Sequence, residues 1–385
     1  MLMNGIIFSI INTFGIIYAR MVKENQQSVQ NVAFKTSWVG SVNIGVLFSM
    51  SFAPIIIKDR IGLRSMAIFG AVFGSSGLIL SGFVIQLEYL YVTFGIMLGI
   101  GMAFLYNPSL IILADYFDRR IGLANGLVTF GSALFSVVMS LVLPIVLSHF
   151  GVKYTLISIG VLFFTLIFPA LTFKPLQKEN AKAKSSPVCR KKIIKILCKT
   201  TVWKNKTFVI WVLLLGLMGF GVFIPAVHMV KHSKDNFADY NADLLITVMQ
   251  ISSGASRLIF GRISDIKSFN RIYMQQIALF VYGVGTSCIP FINNFILLAI
   301  VAGILGVGDG IIVLLVGPII FDIVGPTYAS EGIGWFFVIA TIPVLLGPPT
   351  AGIYIYFIIY MHSIQNKSFR IFISGPIGRL YCCTR

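Results

Sequence analysis

Long apolar runs separated by short polar intervals dominate the chain. A helix needs about 20 apolar residues to cross a bilayer. Runs of that order fall near 2–19, 37–57, 65–86, 90–112, 123–147 and 154–173, and, after a polar interval, near 207–230, 244–262, 272–292, 295–321 and 332–361. The pattern predicts an all-α membrane protein of eleven spans, six before the interval and five after it. The last run is interrupted by Gly347, Pro348 and Pro349. The first run has no basic stretch ahead of it and no small-residue cleavage site behind it, which favours a span over a signal peptide.

Composition agrees with the runs. Hydrophobic residues make up 57% and charged residues 11%, against about 25% charged in soluble domains. The 30 Lys and Arg against 13 Asp and Glu give a net charge of +17. These bases gather between apolar runs and are not interleaved with aromatics, so a nucleic-acid surface is excluded. Five Cys and four His show no paired metal-ligand spacing, so neither a metal nor another cofactor is implied. The glycines at 95, 99 and 101 and at 303, 306, 308 and 310 lie inside apolar runs without a preceding strand. They predict close helix packing rather than a nucleotide fingerprint.

Basic loops stay cytoplasmic. With the N-terminus inside, the inner loops hold 19 Lys and Arg and the outer loops six. The interval 174–206 alone carries eleven basic residues against Glu179. It reads as a basic cytoplasmic linker between an N-terminal bundle, 1–173, and a C-terminal bundle, 207–361, with a basic tail at 362–385. Eleven spans would place that tail outside, against the charge rule. The expectation is therefore that 332–361 does not cross cleanly or leaves one flank of the second bundle open, and that export to the cell surface is poor.

The two parts repeat. Gly99, Gly101 and Asp115 return as Gly306, Gly308 and Asp322, each 207 positions on. Asp59 returns as Asp265 and Pro108 as Pro318 at nearly the same offset. Parallel six-span repeats resemble the plan of the major facilitator superfamily, in which two bundles rock around a central site. The turn DRIGLR at 59–64 needs Gly62 for its tightness. It offers Asp59, Arg60 and Arg64 as charges that can lock helix ends in one access state, with GRISD at 261–265 and its Asp265 as the counterpart.

A charge census singles out two residues. Apart from Asp309, the acidic residues lie in loops or near span ends, and Arg257 is the one base placed inside a span. An ionised group at mid-membrane costs about 2.5–3.5 kcal/mol on insertion scales, so two of them oppose insertion unless they pair or face water. Arg257 lies 14 residues after Asp243 and Asp309 lies 15 after Asn294, which puts both at one depth. The pair is either purely structural or a guanidinium fork offered to a substrate carboxylate, with Asp309 holding it between turnovers. His228, near the outer end of its span, is an interfacial donor or a substrate contact. Asn107 and Pro108 are expected to break or bend the fourth span near the cavity.

The segment YFDRRIGLANGLVTFGS at 116–132, which includes Arg119 and Arg120, closely resembles the signature of the monocarboxylate transporter family. FIPAVHMVKH at 223–232, SRLIFGRISD at 256–265, Asp309-Gly310, VGPTYASEGIG at 324–334 and LLGPPTAG at 345–352 resemble its branch for thyroid hormones and aromatic amino acids. The resemblance covers roughly residues 4 to 352. The family's acidic, glycine and tryptophan opening motif is missing, and nothing resembling a twelfth helix follows residue 361, so the chain reads as shortened at both ends.

The resemblance implies substrate-handling roles for Arg257, Asp309 and His228, and Asn12 and Asn107 are counted with them as candidate substrate-binding residues. It implies gating roles for Arg119 and Arg120. Where the proton-coupled lactate branch carries a lysine and an aspartate, this chain has Asn12 and Ser253. The expected activity is facilitative uniport or exchange of carboxylate-bearing, aromatic solutes across the plasma membrane. Two alternatives stand beside it: proton-linked transport of short monocarboxylates, and a transport-inactive paralogue acting by association. The partners implied are a small-molecule substrate, the lipid bilayer and a single-span accessory glycoprotein.

Overall fold

The computed structural model describes residues 1–25, 32–84, 86–116, 121–173, 202–237, 240–266, 269–325, 328–329, 331–347 and 350. Among them every regular element is a helix. The first segments are α1 (Leu2–Asn25), α2 (Val32–Ser49), α3 (Phe52–Ile61) and α4 (Leu63–Phe83). The fourth expected span begins with the single turn α5 (Leu87–Leu90), continues as a π-helix over Tyr91–Met97 and ends as α6 (Leu98–Tyr116). Next come α7 (Ile121–Phe164) and α8 (Ile167–Leu171). The later part holds α9 (Lys206–Val222), α10 (Ile224–Asn236), α11 (Asp243–Ile263), α12 (Arg271–Cys288), α13 (Phe295–Val324) and α14 (Glu331–Gly347).

Seven stretches among the described residues are long and apolar enough to cross a membrane, and the differences from the eleven apolar runs have local causes. Within the range given for α7, Gly151 has φ 72° and ψ 178°, a non-helical conformation that separates two helical segments, so the runs 123–147 and 154–173 remain distinct around it. The run 37–57 is divided at Met50 and Ser51. The run 207–230 is divided at Phe223, with Pro225 in the first turn of α10, because proline has no N–H to continue the preceding helix. The last run is described only as far as α14 and residue 350, so the expectations for its outer part, for residues 174–201 of the linker 174–206 and for the tail lie outside the described residues.

Local chemistry starts several helices. Asn205, Asn270 and Asn294 are N-caps whose side-chain oxygens accept from Thr207, Ile272 and Ile296 N–H at 3.1, 2.9 and 2.8 Å, satisfying donors that a helix start leaves free. Gly62 joins α3 to α4 at φ 78°, ψ 149°, a region that is essentially glycine's alone. The tight turn at 59–64 therefore has its physical basis in that residue.

Besides an apolar core, the helices carry exposed apolar faces and buried polar groups. On α12, Tyr273, Ile277, Phe280 and Val284 recur at helical spacing and are exposed, a face suited to lipid. Ser132, Ser136, Gln250, Ser253 and Arg257 are buried. The 207-residue repeat has a spatial form. A Cβ at Gly99 would stand 2.8 Å from the Asn43 carbonyl oxygen of α2, and one at Gly101 would stand 2.7 Å from the Gly70 carbonyl oxygen of α4. A Cβ at Gly306 would meet Met249 of α11, and one at Gly308 would stand 3.3 Å from the Ala278 carbonyl oxygen of α12. Thus α6 lies between α2 and α4 in the way that α13 lies between α11 and α12.

Candidate functional site

Arg257 and Asp309 meet at the centre of these helices, with Nη2 3.0 Å from Oδ2. The Arg257 side chain is 3% exposed and that of Asp309 15%. Ser253, one turn before Arg257 on α11, donates its hydroxyl to the same Asp309 oxygen at 2.7 Å. The other arm of the guanidinium crosses to the earlier part of the chain. Nη1 donates to the Thr129 carbonyl of α7 at 2.6 Å and to the Ser132 hydroxyl. One cation thus ties α7, α11 and α13 together, which neither charge counting nor spacing revealed.

Asn12 reaches the same assembly from α1. Its Nδ2 donates to Ser136 Oγ at 3.2 Å and to Gln250 Oε1 at 3.3 Å. Ser136 donates to the Ser132 carbonyl, and Ser132 to that of Thr129. A polar chain therefore runs from Gln250 through Asn12, Ser136 and Ser132 to Arg257, Asp309 and Ser253. Further along the same two helices, Ser140 and Thr247 hydroxyls pair at 2.7 Å. In sequence the signal is a stripe, Thr129, Ser132, Ser136 and Ser140 facing Thr247, Gln250, Ser253 and Arg257, each spaced three or four residues apart inside apolar spans.

Aromatic rings flank the chain of polar groups. Tyr106 belongs to α6. Its ring packs edge-on against Phe8 at 5.2 Å and Phe337 at 5.8 Å, and Phe337 meets Phe48 at 4.9 Å. Asn107, buried at 2%, donates Nδ2 to the Ala103 carbonyl of its own helix at 2.9 Å. The helix α6 runs unbroken through Pro108 to Tyr116, and the irregularity of this span lies earlier, in the π-helix. The backbone of His228 belongs to α10, but its side chain is outside the described residues.

Of the residues expected to gate, Arg119 and Arg120 lie outside the described residues, as does the Asp59 side chain. Arg60 and Arg64 are exposed beside Gly62. Asp265 makes a contact between the two parts of the chain: its Oδ2 accepts from the Leu123 N–H in the first turn of α7 at 3.1 Å. Its Oδ1 pairs with Arg271 at 3.2 Å, and Arg271 grips both oxygens of Asp322 at 2.8 and 2.9 Å. A carboxylate at a helix N-terminus satisfies a free donor and complements the helix dipole. Nearby, Asn125 donates to the Leu314 carbonyl at 3.0 Å. Asp265→Ala removes the cap, a contribution of about 1 kcal/mol. Maleimide labelling of purified Leu123→Cys protein is expected to speed up roughly fivefold in the Asp265→Ala background, and an unchanged rate would show that the contact holds nothing closed.

A sequence profile described as Major Facilitator Superfamily matches residues 1–355. Monocarboxylate transporter 10 of Rattus norvegicus is 35% identical over 360 residues, covering 91% of this chain and 70% of that protein. The Homo sapiens protein of the same name is 34% identical with the same coverage. Monocarboxylate transporter 4 of Gallus gallus is 27% identical over 82% of this chain and 68% of its own. Among solved structures, the nucleoside transporter NupG superposes with a TM-score of 0.67 at 14% identity, covering 91% of this chain and 88% of its own. The human organic anion transporter MFSD10 superposes at 0.66 with 9% identity, covering 91% of both chains. These similarities carry the same fold and the same class of work, transport rather than enzymatic chemistry, and the chain belongs to the monocarboxylate transporters of the Major Facilitator Superfamily.

Proposed function

We propose that the protein is a facilitative uniporter or exchanger of carboxylate-bearing organic solutes, aromatic amino acids or thyroid-hormone-like compounds, in the plasma membrane. The observation that carries this reading is Arg257: its Nε–H is buried and has no hydrogen-bond partner in the structure. A buried donor left unpaired is costly, and the fork formed by Nε with Nη2, once Asp309 gives Nη2 up, suits a planar carboxylate. The cluster of rings of Phe8, Tyr106, Phe337 and Phe48, with Phe8 one helical turn before Asn12 on α1, suits an aromatic solute. In this reading the bundles 1–173 and 207–361 rock about the Arg257–Asp309 pair, with Asp265 closing one end. Asn12 holds Ser136 and Gln250, Asn107 shapes the wall of α6, and His228 lies on the route through α10.

Cell uptake of labelled tyrosine, triiodothyronine and lactate tests it. Tyrosine and triiodothyronine are expected to enter and lactate to stay at background. Uptake of lactate alone would favour the short-monocarboxylate carrier, and no uptake at all would favour a chain acting by association.

Transport is further expected to run down the solute's own gradient. A proton relay needs a titratable group inside the spans. Asn12 and Ser253 have none, Asp309 already accepts from Arg257 and Ser253, and His228 is set near the outer end of its span, away from the Arg257–Asp309 pair. Proteoliposomes with an acidic exterior should equilibrate the solute without concentrating it. Accumulation abolished by a protonophore would refute this.

A further inference from the structure

We propose a second polar subsite, built from Asn43 and Ser41 of α2, that accepts a hydrogen-bond donor of the solute, its ammonium or a phenol hydroxyl. This rests on the transport reading above. The two side chains line a recess of about 10 Å³ together with Ile11 and Phe14 of α1, Phe94 of the π-helix and Phe223. A volume of that order admits one water-sized polar group.

Ser41 and Asn43 both belong to the wall of the recess, and each carries a buried polar atom without a partner. Asn43 is 2% exposed and Ser41 1%, and Asn43 Oδ1 and Ser41 Oγ lack hydrogen bonds. Asn43 is held in place from its other end, where Nδ2 donates to the Phe94 carbonyl at 2.8 Å. The orphan is therefore a fixed acceptor, and buried acceptors of this kind call for a donor.

Position connects the recess with Arg257. Asn43 plus the 207-residue offset is Gln250, which belongs to the polar chain ending at Arg257. Ile11, in the recess wall, precedes Asn12, in the polar chain, by one residue of α1, about 1.5 Å of rise. The two acceptor positions thus sit at one depth, one on each repeat. Phe223 lines the recess at the break between α9 and α10.

The test compares phenylpropionate, phenylalanine, para-hydroxyphenylpropionate and tyrosine. These share a carboxylate and a ring and differ only in carrying the ammonium, the phenol, both or neither. Uptake into proteoliposomes and the Tm shift of the purified chain are read for each. Asn43→Leu is expected to raise KM about tenfold for the donor-bearing solutes that use the recess, leaving phenylpropionate within about twofold. An effect on phenylalanine but not on para-hydroxyphenylpropionate identifies the ammonium, and the converse the phenol. An equal change for all four, or none, would mean that the recess holds a structural water only, and overturns the proposal. Should Asn43→Leu not fold, Asn43→Asp carries the test. Its acidic acceptor should tighten one donor-bearing solute at least about threefold relative to phenylpropionate, and an unchanged ratio overturns the subsite. If the wild type transports none of the four yet its Tm shifts follow the same pattern, the transport reading fails and the subsite stands. If no solute shifts Tm, both fail.

Discussion

Arg257→Ala and Asp309→Ala are each expected to reduce uptake to background. Removing one partner of a buried pair leaves the other uncompensated, at a cost of about 3–5 kcal/mol, and Arg257 is also the group proposed to hold the solute. The two losses are not equivalent. Without Asp309, the guanidinium keeps the Thr129 carbonyl and the Ser132 hydroxyl. Without Arg257, the Asp309 carboxylate keeps only Ser253 among the partners described above. Arg257→Ala should therefore lower the Tm more than Asp309→Ala. The exchange Arg257→Asp with Asp309→Arg restores opposite charges but moves the cation away from α7, so folding should recover more than transport. Arg257→Lys keeps the charge on one ammonium that cannot present the same fork, and should lose at least about tenfold in kcat/KM. If Asp309→Ala leaves the kinetics intact, the pair has no part in transport. Radiotracer uptake with surface biotinylation and Tm measurement separates these outcomes.

Gly101→Ala should remove most folded protein, whereas Gly308→Ala, its partner in the repeat, should be tolerated. At Gly101 the obstacle is backbone. A Cβ would stand 2.7 Å from the Gly70 carbonyl oxygen and would also overlap Gly74, and reciprocally a Cβ at Gly70 would stand 2.6 Å from the Gly101 carbonyl oxygen. Neither helix can yield by a side-chain rotation, so α4 and α6 must separate, at a cost of about 3 kcal/mol. At Gly308 the contacts are 3.3 Å to the Ala278 carbonyl oxygen and 3.3 Å to Tyr282 Cδ2. The better helix propensity of Ala, about 1 kcal/mol over Gly, offsets that crowding. The fraction of monodisperse protein in detergent reads both variants. Equal yields would show that the close approach of α4 and α6 is not required.

The apolar runs and the repeat were legible because they depend on length and periodicity, which a bilayer enforces. Arg257 and Asp309 were legible because charge inside a span is rare. The polar stripe on α7 was not. A serine inside a membrane helix can satisfy itself on its own backbone, as Ser136 does on the Ser132 carbonyl, so no single residue there signals a site. Only the facing stripe on α11 gives it meaning, and that pairing is tertiary. The same holds for Asp265: its carboxylate looks like an ordinary loop charge until the start of α7 is seen beside it. The π-helix at Tyr91–Met97 left no mark in the apolar pattern, since inserting one residue per turn barely alters the composition of the run.

The grip of Arg257 on α7 bears on biosynthesis. Asp309 lies 52 residues after Arg257, so at about 5–20 residues per second the ribosome delivers it roughly 3–10 s later. During that interval α11 would have to enter the bilayer with an unneutralised cation, at about 2.5–3.5 kcal/mol. Thr129 and Ser132, by contrast, were made more than a hundred residues earlier and are already waiting. The order of synthesis would let α7 act as an internal chaperone for the charge on α11, with the carboxylate that completes the pair arriving afterwards.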